Sequence, residues 1–148
     1  MKTLAPFHLA FPVTSLARAR AFYGDVLGCA EGRSSDEWVD FDFFGHQIVA
    51  HLAAAGDADA PLRSPATHAV DGDAVPLRHF GVVLPMHEWT AFADKLTRAG
   101  VKFLIEPHVR FRGEVGEQAT MFFLDPCGNA LELKAFHDLG QLFARARE

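Results

Sequence analysis

The chain reads as an α+β protein of two tandem βαβββ modules within a single domain over residues 1–148. Three observations predict this. The apolar periodicity runs strand, helix, three strands, and then repeats in the same order. Each helical stretch stops at a glycine, Gly28 in the first half and Gly100 in the second. The last strand of each half follows a turn glycine, Gly45 and then Gly128. Module one is expected over residues 4–53 and module two over 77–136, with a loop at 54–76 between them and a C-terminal helix over 138–147.

Residues 6–13, PFHLAFPV, form a mostly apolar run suited to a strand. Thr14 or Ser15 can cap a helix carrying Leu16, Ala19, Phe22, Tyr23 and Val26 at helical spacing. Strand-like pieces follow near 29–33, at 37–43 (EWVDFDF, alternating) and at 47–53 (QIVAHLA). Module two opens on LRHFGVVL, continues in a helix through Trp89, Phe92, Ala93 and Leu96, and closes with KFLIEPHV, QATMFFL and ALELKAF. Segment 54–76 is rich in Ala, Gly, Asp and Pro with no periodicity, and is expected to be a linker or a lid. HDLGQLFARARE reads as a short amphipathic helix.

The hydrophobic fraction of 49%, with fourteen Phe, supplies ample core and excludes a disordered chain. Net charge is −5 without a Lys/Arg block, which argues against nucleic acid and anionic membrane as partners. No apolar run reaches the length of about eighteen residues needed for a span, and no leader pattern opens the chain, so a soluble cytoplasmic protein is expected. Cys29 and Cys127 have no C-x-x-C partner and read as small residues near turns.

The repeat places His8 and His79 at matching points, each next to a phenylalanine. Aligning Gly45 with Gly128 sets Val49 opposite Glu132, the one carboxylate in ALELKAF. His51, two residues beyond Val49, shares its strand face. A lone histidine on an apolar strand is ordinarily a core or edge residue, and a lone glutamate ordinarily pairs with an arginine or faces solvent. Recurrence within a repeat changes that reading. Two imidazoles and a carboxylate are the ligand set of a facial triad, which leaves coordination positions open for substrate. His51 is expected at the rim as an acid/base group; as a fourth ligand it would favour zinc or nickel chemistry. His46 and His87 read as surface residues, and Arg112, Glu114 and Glu117 as a solvated loop.

FHLAFPV, ARAFYGDVLG, HFGVVL and FFLDPCGNALELKAF together give the chain a resemblance to the vicinal oxygen chelate superfamily. That superfamily holds glyoxalase I, extradiol ring-cleavage dioxygenases and the bleomycin and fosfomycin resistance proteins. The resemblance implies paired βαβββ units in a cupped mixed sheet around a divalent metal held by His8, His79 and Glu132. Fe(II) is favoured, with Zn, Ni or Mn as alternatives; a small-molecule substrate and a homodimer are expected. Tyr23 and Gly28 match a structural signature and are expected to pack and cap. The leading activity is a dioxygenase acting on a small, catechol-like substrate; Phe7, Phe43, Phe80, Phe122 and Phe123 suit an aromatic substrate, although ordinary core packing is the commoner use of such residues. Ring-cleaving relatives usually carry a tyrosine ten residues before the metal glutamate, where this chain has Phe122. His68 and His108 are the stand-ins for that class's acid/base histidines. The alternatives are a glyoxalase I-like lyase or isomerase and a non-enzymatic resistance-type binding protein.

Overall fold

The alternation in HLAFPV turns Phe11 and Val13 to a buried side and leaves His8, Ala10 and Pro12 exposed, as a half-buried strand requires. In the computed structural model, which describes residues 4–53 and 66–145, this segment is strand β1 (His8–Val13). Residues 54–65 of the expected loop and 146–147 of the expected C-terminal helix lie outside the described residues. The chain divides into two compact units. Unit one is Met1–Ser64 with the turn Asp125–Asn129, and unit two is Pro65–Leu124 with Ala130–Glu148.

In unit one, β1 pairs in parallel with β4 (His46–Leu52), which pairs antiparallel with β3 (Trp38–Phe43), which pairs antiparallel with β2 (Ala30–Ser34). The order is β1-β4-β3-β2. One face buries Phe11, Val13, Val39, Phe41, Ile48 and Ala50. The edge strand β2 is exposed along its whole length, and its register slips between Glu31 and Ser34. The β3–β4 turn is made by Phe44 and Gly45, both at positive φ, the backbone twist that a two-residue hairpin favours.

The first helix departs from expectation. Ser15 caps it, accepting from the Arg18 N–H, but regular α-helix (α1, Leu16–Ala19) lasts one turn before a π-helical stretch, Arg20–Val26. Leu27 N–H bonds to the Phe22 carbonyl five residues back, and Gly28 ends the element at φ 79°. The widened turn accompanies burial of two adjacent aromatics, Phe22 and Tyr23. The Tyr23 ring centroid lies 5.4 Å from those of Phe11 and Phe41. Its hydroxyl donates to Asp125 Oδ2 at 2.9 Å. Asp125 is itself buried and accepts from the backbone N–H groups of Cys127 and Asn129 and from Asn129 Nδ2. A buried carboxylate is tolerable only when its lone pairs are taken up in this way.

Unit two repeats the plan. Strand β7 (Val83–Pro85) leads into helix α2 (Met86–Arg98), followed by β8 (Phe103–Arg110), β9 (Gln118–Leu124) and β10 (Ala130–Phe136). The order β7-β10-β9-β8 matches unit one strand for strand. Trp89 seats α2 on the sheet: its buried indole N–H donates to the Leu133 carbonyl at 2.8 Å. Among the described residues, no helix is long and apolar enough to cross a membrane.

Two expectations are corrected here. Part of the supposed 54–76 loop is a hairpin, β5 (Thr67–Val70) and β6 (Asp73–Pro76), turning at Asp71 and Gly72, both at positive φ. The Asp-Gly pair is a hairpin signal that the bulk polarity of the segment hides. Asp71 pairs with Arg110 of β8, and Pro76 at the hairpin's end is fully buried. The helix expected over 138–147 is, among the described residues, a single 3-10 turn, Leu139–Gln141. Gly140 lowers helical propensity there, and Phe143, the large apolar residue that a longer helix would need to bury, is 90% exposed.

Burial, and then the Asp125 charge, raise the Tyr23 hydroxyl well above the ordinary tyrosine value near 10. Because the folded value is the higher one, Tyr23 contributes stability fully below the unfolded value, and that contribution is lost as pH rises through the folded value. Tyr23 is the chain's single tyrosine, so tyrosinate absorbance reads it alone. The absorbance is expected to appear together with alkaline unfolding; a free titration near the ordinary value would contradict the burial. Tyr23→Phe is expected to cost about 1.5–3 kcal/mol in denaturant unfolding, the range for a hydrogen bond to a charged group.

Candidate metal centre

Glu132 lies in the middle of β10, in register with Phe122 of β9. It is held there from two sides. Thr120, two residues along β9 and so on the same face, donates its hydroxyl to Glu132 Oε1 at 2.7 Å. Lys134 Nζ stands 3.9 Å from the same oxygen. On the opposite flank the Glu132 N–H bonds to the Phe80 carbonyl, and Phe80 forms a parallel bridge with Leu131. Between Phe80 and β7 the chain passes so close to β10 that a Cβ on Gly81 would lie 1.5 Å from the Glu132 carbonyl oxygen. Only glycine permits that approach. The expected strand at 77–84 is therefore broken at Gly81, and His79 sits just before the Phe80 bridge instead of within a regular strand.

His79 Nδ1 lies 2.6 Å from the Pro76 carbonyl at the end of the β5–β6 hairpin. A carbonyl only accepts, so Nδ1 carries the proton. The other nitrogen, Nε2, points at Glu132 Oε2 across 3.1 Å. An imidazole lone pair facing a carboxylate lone pair is repulsive unless a positive charge lies between them. Either Nε2 is protonated, giving an imidazolium–carboxylate pair, or both atoms ligate a cation. Metal–donor bonds of about 2.0–2.2 Å at right-angled or tetrahedral geometry set two donors about 3.0–3.5 Å apart. The observed separation fits that spacing. Glu132 is thus divided: Oε1 is occupied by Thr120 and Lys134, and Oε2 is presented towards His79. The His79 ring is also set edge-on to Phe122, with centroids 5.0 Å apart. The side chains of His79 and Glu132 are 28% and 14% exposed, so a small ion can reach them.

His8 belongs to unit one and is exposed on β1, opposite Gln47 of β4. Its Nδ1 lies 2.8 Å from Gln47 Oε1, and Gln47 Nε2 donates to Asp40 Oδ2 at 3.0 Å. His51 shares this face of β4, exposed, in register with Trp38 and Pro12. Four residues separate it from Gln47, about 13 Å along a strand, which puts it out of reach of any ion that His8 holds. Among the described residues, no group of three or more His, Cys, Asp or Glu is gathered into a metal-holding cluster. His79 and Glu132 lie together in unit two, and His8 lies in unit one.

His108, in register with Thr120, lies on the Glu132 side of β8 and turns its Nδ1 to the Glu106 carbonyl at 2.9 Å. His68 is on the exposed strand β5 opposite Val75. His46, expected at the surface, is half-buried, and its Nδ1 accepts the Phe7 N–H at 2.9 Å. Sequence reasoning missed Thr120, Gln47 and Asp40. Strand parity was the available signal, since Thr120 stands two residues from Phe122 and Asp40 lies opposite Val49.

Gly81→Ala is expected to destabilise the protein by about 3 kcal/mol or more, at or beyond the upper end of overpacking costs. Either β10 or the His79 segment must then move. Calorimetry reads the loss directly, and an unchanged melting temperature would show that the close approach does not exist.

The family model described as the Glyoxalase/Bleomycin resistance protein/Dioxygenase superfamily matches residues 6–133. No curated protein matches the sequence at a meaningful level. Among solved structures, a glyoxalase/bleomycin resistance protein/dioxygenase from Alicyclobacillus acidocaldarius is 30% identical, with 94% of this chain and 96% of that chain covered and a TM-score of 0.75. The fosfomycin resistance protein FosX from Listeria monocytogenes shares the fold at 18% identity, covering 91% and 93% of the two chains with a TM-score of 0.64. FosX from Mesorhizobium loti does so at 16% identity, covering 97% and 99%, with a TM-score of 0.61. With a family model spanning most of its length and the βαβββ order present in both units, the chain belongs to the glyoxalase/bleomycin resistance protein/dioxygenase superfamily.

Proposed function

We propose that the protein is a divalent-metal enzyme in which His8, His79 and Glu132 hold the ion, and that it acts as a dioxygenase on a small, catechol-like substrate. The observation that carries the metal reading is His79 Nε2 facing Glu132 Oε2 at 3.1 Å while Nδ1 is committed to Pro76. When bound, a divalent ion would supply Lewis-acid polarisation of neighbouring substrate oxygens and, as Fe(II), the electrons that O₂ chemistry needs. The chain's own contribution is positional. Thr120 fixes one carboxylate oxygen by a hydrogen bond, with the Lys134 charge near it, so that the other would be turned to the ion. The Pro76 carbonyl fixes the His79 tautomer, the usual service of a hydrogen bond behind a ligating imidazole. Phe122, buried in the core, packs edge-on against the His79 ring and holds its plane. The expected homodimer and small-molecule substrate belong to the same proposal.

One observation favours a second reading. Phe122, directly across from Glu132, has no hydroxyl with which to move a proton during ring cleavage. A lyase or isomerase of the glyoxalase type would not need one. Metal analysis of anaerobically purified protein, followed by a catechol and a hemithioacetal assay, separates the two. Iron with catechol turnover supports the dioxygenase; zinc or nickel with hemithioacetal turnover replaces it.

Glu132→Gln is expected to lose most of its bound metal, because a neutral amide offsets none of the ion's charge; unchanged metal content would remove Glu132 from the ligand set. His51→Ala is expected to keep its metal in full, since the strand distance puts His51 beyond that ion.

A further inference from the structure

Resting on the metal reading above, we propose that Gln47, held by Asp40, is the positioning residue for His8, fixing the proton on Nδ1 and leaving Nε2 bare to ligate. A glutamine amide can turn either its oxygen or its nitrogen to a neighbour, so by itself it would not choose a histidine tautomer. Asp40 removes that freedom. A carboxylate only accepts, so the group it faces at 3.0 Å must be the NH₂ of Gln47. The oxygen is therefore the end turned to His8 at 2.8 Å, and His8 Nδ1 must donate. The relay is built into the sheet: His8 pairs with Gln47 across β1–β4, and the next strand brings Asp40 to the same face. Asp40 is buried, 8% exposed, and Arg33 Nε stands 3.8 Å from the oxygen that receives Gln47.

The two candidate imidazoles thus reach the same state by different routes. His79 gives its Nδ1 proton to a backbone carbonyl, whereas His8 gives its own to a side chain whose orientation is set by a third residue. In the repeat alignment Gln47 falls opposite Ala130, so the relay has no counterpart in unit two.

Long-range nitrogen–proton correlation spectra of the metal-free, full-length protein in mildly alkaline buffer read the His8 tautomer directly. The wild type is expected to show the proton on Nδ1. Asp40→Ala, which does not touch His8, is expected to release the amide and populate the Nε2–H form that free imidazole prefers. The double variant Asp40→Ala/Gln47→Glu is expected to restore Nδ1–H, because both oxygens of a carboxylate accept. Zn²⁺ titration should follow the spectra, about ten- to hundredfold weaker in Asp40→Ala and recovered in the double variant. A tautomer unchanged in Asp40→Ala, or not restored in the double variant, overturns the relay. A tautomer that switches and returns while Zn²⁺ affinity stays constant supports the relay and instead overturns His8 as a ligand.

Discussion

Glycine at position 81 is the constraint on which the candidate site depends. The segment carrying His79 approaches β10 so closely that no side chain fits between it and the Glu132 carbonyl. The bond from the Glu132 N–H to the Phe80 carbonyl follows from that contact, and it fixes how far along β10 the histidine can sit. The carboxylate is then turned by Thr120 and Lys134, and the imidazole by Pro76. The carboxylate and the imidazole of the pair are each held by a hydrogen bond from the surrounding sheet and hairpin. Such an arrangement keeps His79 Nε2 and Glu132 Oε2 facing one another without relying on a ligand to organise them.

The two units use one strand order for different ends. Unit one spends its helix on Tyr23, whose ring fills the sheet's buried face and whose hydroxyl satisfies Asp125. Unit two spends its helix on Trp89, whose indole reaches the carbonyl next to Glu132 in sequence. The exposed faces have diverged too. Where unit two carries Glu132, unit one carries Val49, and its carboxylate has moved across the ladder to Asp40, where it serves Gln47.

Much of this was legible in the sequence. QATMFFL and ALELKAF occupy the expected strands residue for residue, because alternation and a flanking turn fix both ends. The repeat named His8, His79 and Glu132, and the structure brings His79 and Glu132 together within unit two. What was not legible depends on contacts across strands. Periodicity cannot show that the ladder behind Tyr23 widens to five residues, since that follows from packing two adjacent aromatics inward. Composition read 54–76 as featureless, although its Asp71-Gly72 pair encodes a hairpin. Thr120, Gln47 and Asp40 are ordinary polar residues in the chain and acquire meaning only once register places them beside a ligand candidate.

Among the described residues, strand β2 is the last of the unit-one sheet, with no further strand paired to its outer edge and all five residues exposed. Such an edge is a template on which a stray strand can grow. Here it is blunted twice. Glu31 and Arg33 stand on it, Glu31 paired with Arg20 at 3.1 Å, and the slip between Glu31 and Ser34 spoils the straight register that an incoming strand would copy. The same five residues lie outside the hydrophobic core, and what they carry instead is charge and a broken register, the two features that discourage edge-to-edge pairing.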